Sequence, residues 1–237
     1  MLRRIIRNGV FRGAGMKILL AYYSRTGFTK RVMEDVKRRL DERGHTLDIE
    51  RLQVLRSSSC VGEIWKDLHH YPLIFLSSFK ASWRKKYLAS YAQIEEDIAP
   101  LRYPDVSAFD RICIGGPKWA QISYPVARYL RTVSGLAGKK IGSVATFGGP
   151  PLPVFELAMI EKAMTRMVSE RDASIIAHLG LSSAYHELGI MPLFRCASRI
   201  VLHKPIKSFM IGSDYANHLT RQFCDKIAGK QEENQCL

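Results

Sequence analysis

Hydrophobic positions change period repeatedly along this chain, from the unbroken runs of buried strands to the four-residue spacing of helices. Lys17 to Tyr22 is a short apolar run that stops at turn residues, the pattern of a strand covered on both faces. Thr29 to Arg43 carries Val32, Val36 and Leu40 among Arg, Lys and Glu, which predicts an amphipathic helix closed by Gly44 at its C-cap. Thr46 to Val54 alternates as a second strand. Arg111 to Gly115 and Lys140 to Phe147 are two further apolar runs, separated by a helical segment at Pro125 to Val133. Val154 to Val168 predicts another helix, with Phe155, Met159, Ala163 and Met167 on one face. Ser174 to Leu179 predicts a fifth strand, and Tyr215, Leu219, Phe223 and Ile227 mark a C-terminal helix. Such alternation calls for parallel strands joined by right-handed crossovers, hence an α/β sheet with helices on both faces. Residues 56–104 and 181–212 are too long for ordinary connections and read as insertions in a single domain spanning 16–237.

Composition agrees with a packed domain: 46% of the 237 residues are hydrophobic and 24% charged, neither a disordered nor a fibrous balance. No apolar run reaches the roughly 18 residues that a membrane-spanning helix needs. Charge changes the picture more. Basic residues number 36 against 22 acidic, a net +14 with a pI near 9.7, and such a field favours anionic partners. Met1 to Gly15 holds Arg3, Arg4, Arg7 and Arg12 with no acid, and lacks the apolar segment and cleavage site of a secretory leader. It reads as a disordered basic extension, either a mobile arm or the product of an upstream start codon, with Met16 opening the folded part. Cys60, Cys113, Cys196, Cys224 and Cys236 are widely spread and form no C-x-x-C pair, so no local zinc or iron–sulfur site is built. They fit reduced thiols in a cytoplasm.

The strongest chemical signal follows the first strand. Tyr23-Ser24-Arg25-Thr26-Gly27-Phe28-Thr29 leads into the first helix, whose N-terminus presents unpaired amides and the positive end of its dipole. Three hydroxyls and a glycine at that place make an anion cradle suited to a phosphate, at the strand ends where open α/β sheets bind ligands. An ordinary N-capped helix is the alternative, since Ser and Thr are common there.

The spacing Ser-x-Thr-Gly-x-Thr directly after a first strand resembles the flavodoxin family. Phe109 to Trp119 is similar to that family's third strand and its G-x-P-x-W loop, and Gly138 to Gly149 to its fourth strand and second flavin loop. The resemblance covers roughly half the chain. It implies a three-layer fold whose five-stranded parallel sheet has the order 2-1-3-4-5, with bound flavin mononucleotide (FMN). Ser24, Thr26, Gly27 and Thr29 would hold the phosphate, beside Arg25 and Phe28. Pro117, Lys118, Trp119 and Ala120 would lie along the isoalloxazine, with Thr146, Phe147, Gly148 and Gly149 on its other side. The chain departs from the family in its basic charge, in Arg25 within the first loop and in the 56–104 insertion.

The implied function is electron transfer through non-covalently bound FMN, with a redox partner protein. Two alternatives stand beside it: an NAD(P)H-dependent oxidoreductase passing electrons from a nicotinamide to a quinone, and a flavin-free binding scaffold. His69 to Lys80, Trp83 to Tyr87, Met191 to Arg195 and Arg199 to Lys207 mix aromatic or apolar with basic residues. They read either as a rim that meets anionic lipid or a quinone, or as caps over the sheet edge and the flavin site. Other chemistries have no sequence support. There is no G-x-S-x-G elbow and no Walker loop, and Gly13-Ala14-Gly15 precedes a strand instead of following one. Adjacent His69 and His70 would point about 100° apart on a helix, a poor metal pair. His178 reads as an interior or edge histidine with its hydrogen bonds made. No nucleic-acid module accompanies the charge. No metal ligand and no catalytic acid or base is assigned.

Overall fold

A computed structural model describes residues 15–55, 82–83, 85, 97–118, 121–184 and 191–229. The basic extension over 1–14, most of the 56–104 insertion, and Trp119 and Ala120 lie outside the described residues. Five strands form one sheet: β1 (Lys17–Tyr22), β2 (Thr46–Arg51), β3 (Arg111–Pro117), β4 (Lys140–Phe147) and β5 (Ser174–Ser182). They pair in the order β2-β1-β3-β4-β5, every pair parallel. The helices bounded among the described residues are α1 (Phe28–Asp41), α2 (Tyr124–Thr132), α3 (Ala158–Ser169), α4 (Met191–Val201) and α5 (Asp214–Ile227).

Side chains alternate across a strand, so each apolar run supplies two cores. Ile18, Leu20 and Tyr22 of β1 pack with Cys113, Val144, Ala177, Leu179 and Leu181 against α1 and α5. Leu19 and Ala21 face the opposite way, with Ile112, Ile114, Ile141, Ala145 and Phe147 under α2 and α3. Val32, Val36 and Leu40 are all buried, so the four-residue spacing read in the sequence is the stripe that α1 lays on the sheet.

Three boundaries differ from the sequence reading by three residues or more. β2 stops at Arg51, because Val54 leaves the sheet to make an antiparallel bridge with Ile98. β5 runs on to Ser182, paired with Phe147 at the end of β4. The helix expected from Val154 begins instead as a wide π-turn, Pro153–Leu157, before α3. Leu152 O accepts the amides of both Glu156 and Leu157, at 2.9 and 3.2 Å, which widens the turn. The 181–212 segment contributes α4 and a short 3-10 turn (Ile206–Phe209) that leads into α5.

Candidate functional site at the strand ends

From β1 the chain crosses to β2 on one side, and from β2 to β3 on the other, so the sheet changes direction between β1 and β3. Ligands of open α/β sheets bind outside the strand ends at such a switch point. Here the three loops singled out in the sequence meet.

Tyr23 N–H donates to Gly115 O at 3.0 Å, which holds the first loop against β3. Gly27 stands at the N-cap of α1 with φ 87°, and a Cβ built there would meet nothing within 4 Å. A left-handed turn is easy for glycine alone. The first turn of α1 holds no acid, and the amides of Phe28 and Thr29 lie outside the intrahelical ladder. The positive end of the helix therefore faces the space above the turn. Ser24 Oγ accepts Lys30 N–H at 3.1 Å, capping the helix from outside while keeping its own proton to donate. Thr26 is exposed, and Arg25 and Phe28 are half-buried. Thr29 points the other way: its buried Oγ1 lies 2.8 Å from Thr146 Oγ1.

Thr146 thus joins the first loop to the end of β4, and its carbonyl accepts Lys118 N–H at 2.7 Å. Pro117 pairs in register with Thr146. Phe147 is buried in the core on the α2/α3 side, with its carbonyl accepting from both Ser183 N–H and Ser183 Oγ. Gly148 is half-buried and Gly149 buried. Beyond them the Lys118 ammonium meets Glu156 Oε2 of the π-turn at 2.5 Å, with side chains 10% and 6% exposed. A Cβ on Gly149 would lie 2.7 Å from Glu156 Oε1, so the second glycine loop packs directly on this pair.

Glu156 carries no motif. Its only sequence signal is being the single acid between Gly148 and Ile160. Gly116 admits the start of α2: a Cβ there would sit 2.6 Å from Ser123 Oγ and 2.7 Å from Val126 Cγ2. Ser123 Oγ, Tyr129 OH and His178 Nδ1 are buried without a partner among the described residues, so the hydrogen bonds expected of His178 are incomplete. Two cavities of about 10 Å3 each border this side, one under Gln121 and Gly116 and the other beside His178. Each has room for about one water. Among the described residues no cluster of three His, Cys, Asp or Glu could hold a metal, and no helix is long and apolar enough to cross a membrane.

No protein-family profile and no curated protein sequence matches the chain. Solved structures do resemble it. Oxidised flavodoxin 2 from Bacillus cereus is 15% identical, over 91% of this chain and 99% of that one, with a TM-score of 0.49. A flavodoxin from Streptococcus pneumoniae TIGR4 is 9% identical over 91% and 99% respectively, at 0.47. A flavoprotein in complex with FMN from Lactobacillus acidophilus NCFM is 14% identical over 70% and 93%, at 0.44. Likenesses this distant say nothing of ligands, and the class rests on the strand order β2-β1-β3-β4-β5. The fold is flavodoxin-like. In that arrangement the loops after β1, β3 and β4 share one rim, which is where Thr29, Thr146 and Lys118 are linked.

Proposed function

We propose that this chain binds flavin mononucleotide non-covalently and transfers electrons through it. The observation that carries the reading is the turn at Gly27. Open space, a helix N-terminus without an acid and two hydroxyls able to donate meet at the β1/β3 switch point. The residues fit an anionic tail there. The Ser24 and Thr26 hydroxyls and the first amides of α1 would hold the phosphate, and Arg25 adds positive charge nearby. Thr29 would contribute its amide, while its side chain fixes Thr146.

The ring would lie between the loop Pro117-Lys118-Trp119-Ala120 and the segment from Thr146 to Gly149. Phe147 serves that segment through its backbone, since its side chain belongs to the core. Lys118 and Glu156 neutralise one another, so their pair stiffens the rim without adding net charge beside the ring. Bound flavin supplies one- or two-electron chemistry; the protein supplies position and electrostatics.

A second reading, a flavin-free scaffold, is favoured by one feature. Ser24, Thr29, Thr146 and Lys118 already bond within the protein. The absorption spectrum of the protein as isolated separates the two, because stoichiometric flavin bands exclude the scaffold and a colourless protein that takes up no FMN excludes the flavin reading. Bleaching of those bands by a reduced nicotinamide alone marks a reductase. Bleaching only through a separate reductase protein marks a carrier.

A further inference from the structure

We infer that α4 and the turn after it form a docking surface for an anionic lipid membrane. The inference goes beyond the flavin reading and does not depend on it. α4 carries Arg195, Cys196, Arg199 and Ile200 on its solvent side, while Ser198 is buried and donates to Lys204 O at 2.7 Å, fixing the turn that follows. Ile200 and Val201 are 67% and 55% exposed, and with Leu55 they are the exposed large hydrophobic residues among those described.

The charge along this stretch of the chain has one sign. From Leu188 to Ser213 the sequence holds no acid. Arg195, Arg199, Lys204 and Lys207 are all exposed, and none makes an ion pair among the described residues. On α1, by contrast, three of the five cations, Lys30, Arg38 and Arg39, face a carboxylate. Unpaired cations beside exposed aliphatic side chains match a lipid interface, where headgroup phosphates take the charges and the acyl boundary takes the Ile and Val. An acidic protein face would satisfy the cations but leave Ile200 and Val201 without a reason to be exposed.

The location adds a consequence. The inner side of α4 reaches the candidate site, since a Cβ on Gly149 would lie 3.4 Å from the Phe194 ring. Docking through the outer side would bring the rim of the strand-end loops close to the bilayer surface.

The test is co-sedimentation of the full chain with phosphatidylcholine vesicles, with and without phosphatidylglycerol, over a range of salt. Wild type is expected to bind the anionic vesicles only, and more weakly as salt rises. Each cation near such a surface contributes about fivefold in affinity, so Arg195→Ala/Arg199→Ala is expected to weaken binding about thirtyfold. Ile200→Ser/Val201→Ser, which keeps every charge, is expected to weaken it at least about tenfold. All four side chains are exposed, so both variants should fold as wild type does. Failure of wild type to bind anionic vesicles, equal binding to neutral ones, or insensitivity to either double variant would overturn the proposal. Loss with the arginine variant alone assigns the patch to an acidic partner and overturns it too.

Discussion

Removing the Glu156 carboxylate gives the sharpest energetic test of how the strand-end loops are held. Glu156→Met leaves the Lys118 ammonium in a place where it is only 10% exposed, with its 2.5 Å ionic partner gone. Breaking a buried pair from one side costs about 3–5 kcal/mol, chiefly because the remaining charge stays desolvated. At about 2–4 °C per kcal/mol for a domain of this size, the midpoint should fall by roughly 6–20 °C. Lys118→Met should cost a comparable amount. Lys118→Met/Glu156→Met removes both charges and keeps most of the volume, so it should unfold within about 2 kcal/mol of wild type. Thermal and urea unfolding followed by circular dichroism of the four proteins closes the cycle. If the double variant loses the sum of the two single losses, the groups are not coupled and the buried ion pair is not what joins Lys118 to the π-turn.

Other consequences are open to measurement. Thr29→Val strands the buried Thr146 hydroxyl and should cost about 1–3 kcal/mol, while Thr29→Val/Thr146→Val should cost less than the single change; urea midpoints decide, and a larger loss in the double variant would refute the bond. Burial, reinforced by Arg43 and Arg111, holds His45 below the usual imidazole range, and burial does the same to His178 against the pull of Glu161. Both histidines therefore take up protons more readily unfolded, so stability should be full above about pH 6.5 and fall as pH drops below it. His45→Gln/His178→Gln should flatten that decline in Tm, and an unchanged slope would speak against it. Cys196 is exposed, whereas Cys113 and Cys224 are buried, and desolvation pushes the Cys224 thiol up to about 12. A thiol reagent followed by peptide mapping should label Cys196 in the native protein, and Cys113 and Cys224 only after unfolding.

Much of the scaffold was legible because parallel strands buried on both faces read as unbroken apolar runs, and α1 and α5 as apolar stripes. The turn at Gly27 was legible too, since its hydroxyls and glycine sit next to one another in sequence. What escaped depends on partners far along the chain. β2 ends early because Val54 meets Ile98, and no local pattern announces that bridge. Thr29 looks like a ligand hydroxyl until Thr146, 117 residues on, takes it. Lys118 looks like a free cation beside a ligand until Glu156 of the π-turn neutralises it. The three prolines between Gly149 and Val154 marked a loop, but not that the helix after it would open as a wide turn with a buried acid inside.

The central claim is that the turn before α1 holds a flavin phosphate. Titrating FMN with the purified protein and following flavin fluorescence tests it directly, with Thr26→Ala/Gly27→Val as control and circular dichroism confirming that the control is folded. Saturable, stoichiometric binding by the wild type, lost in the folded variant, is the expected result. Equal binding by both proteins, or none by the wild type, would contradict it.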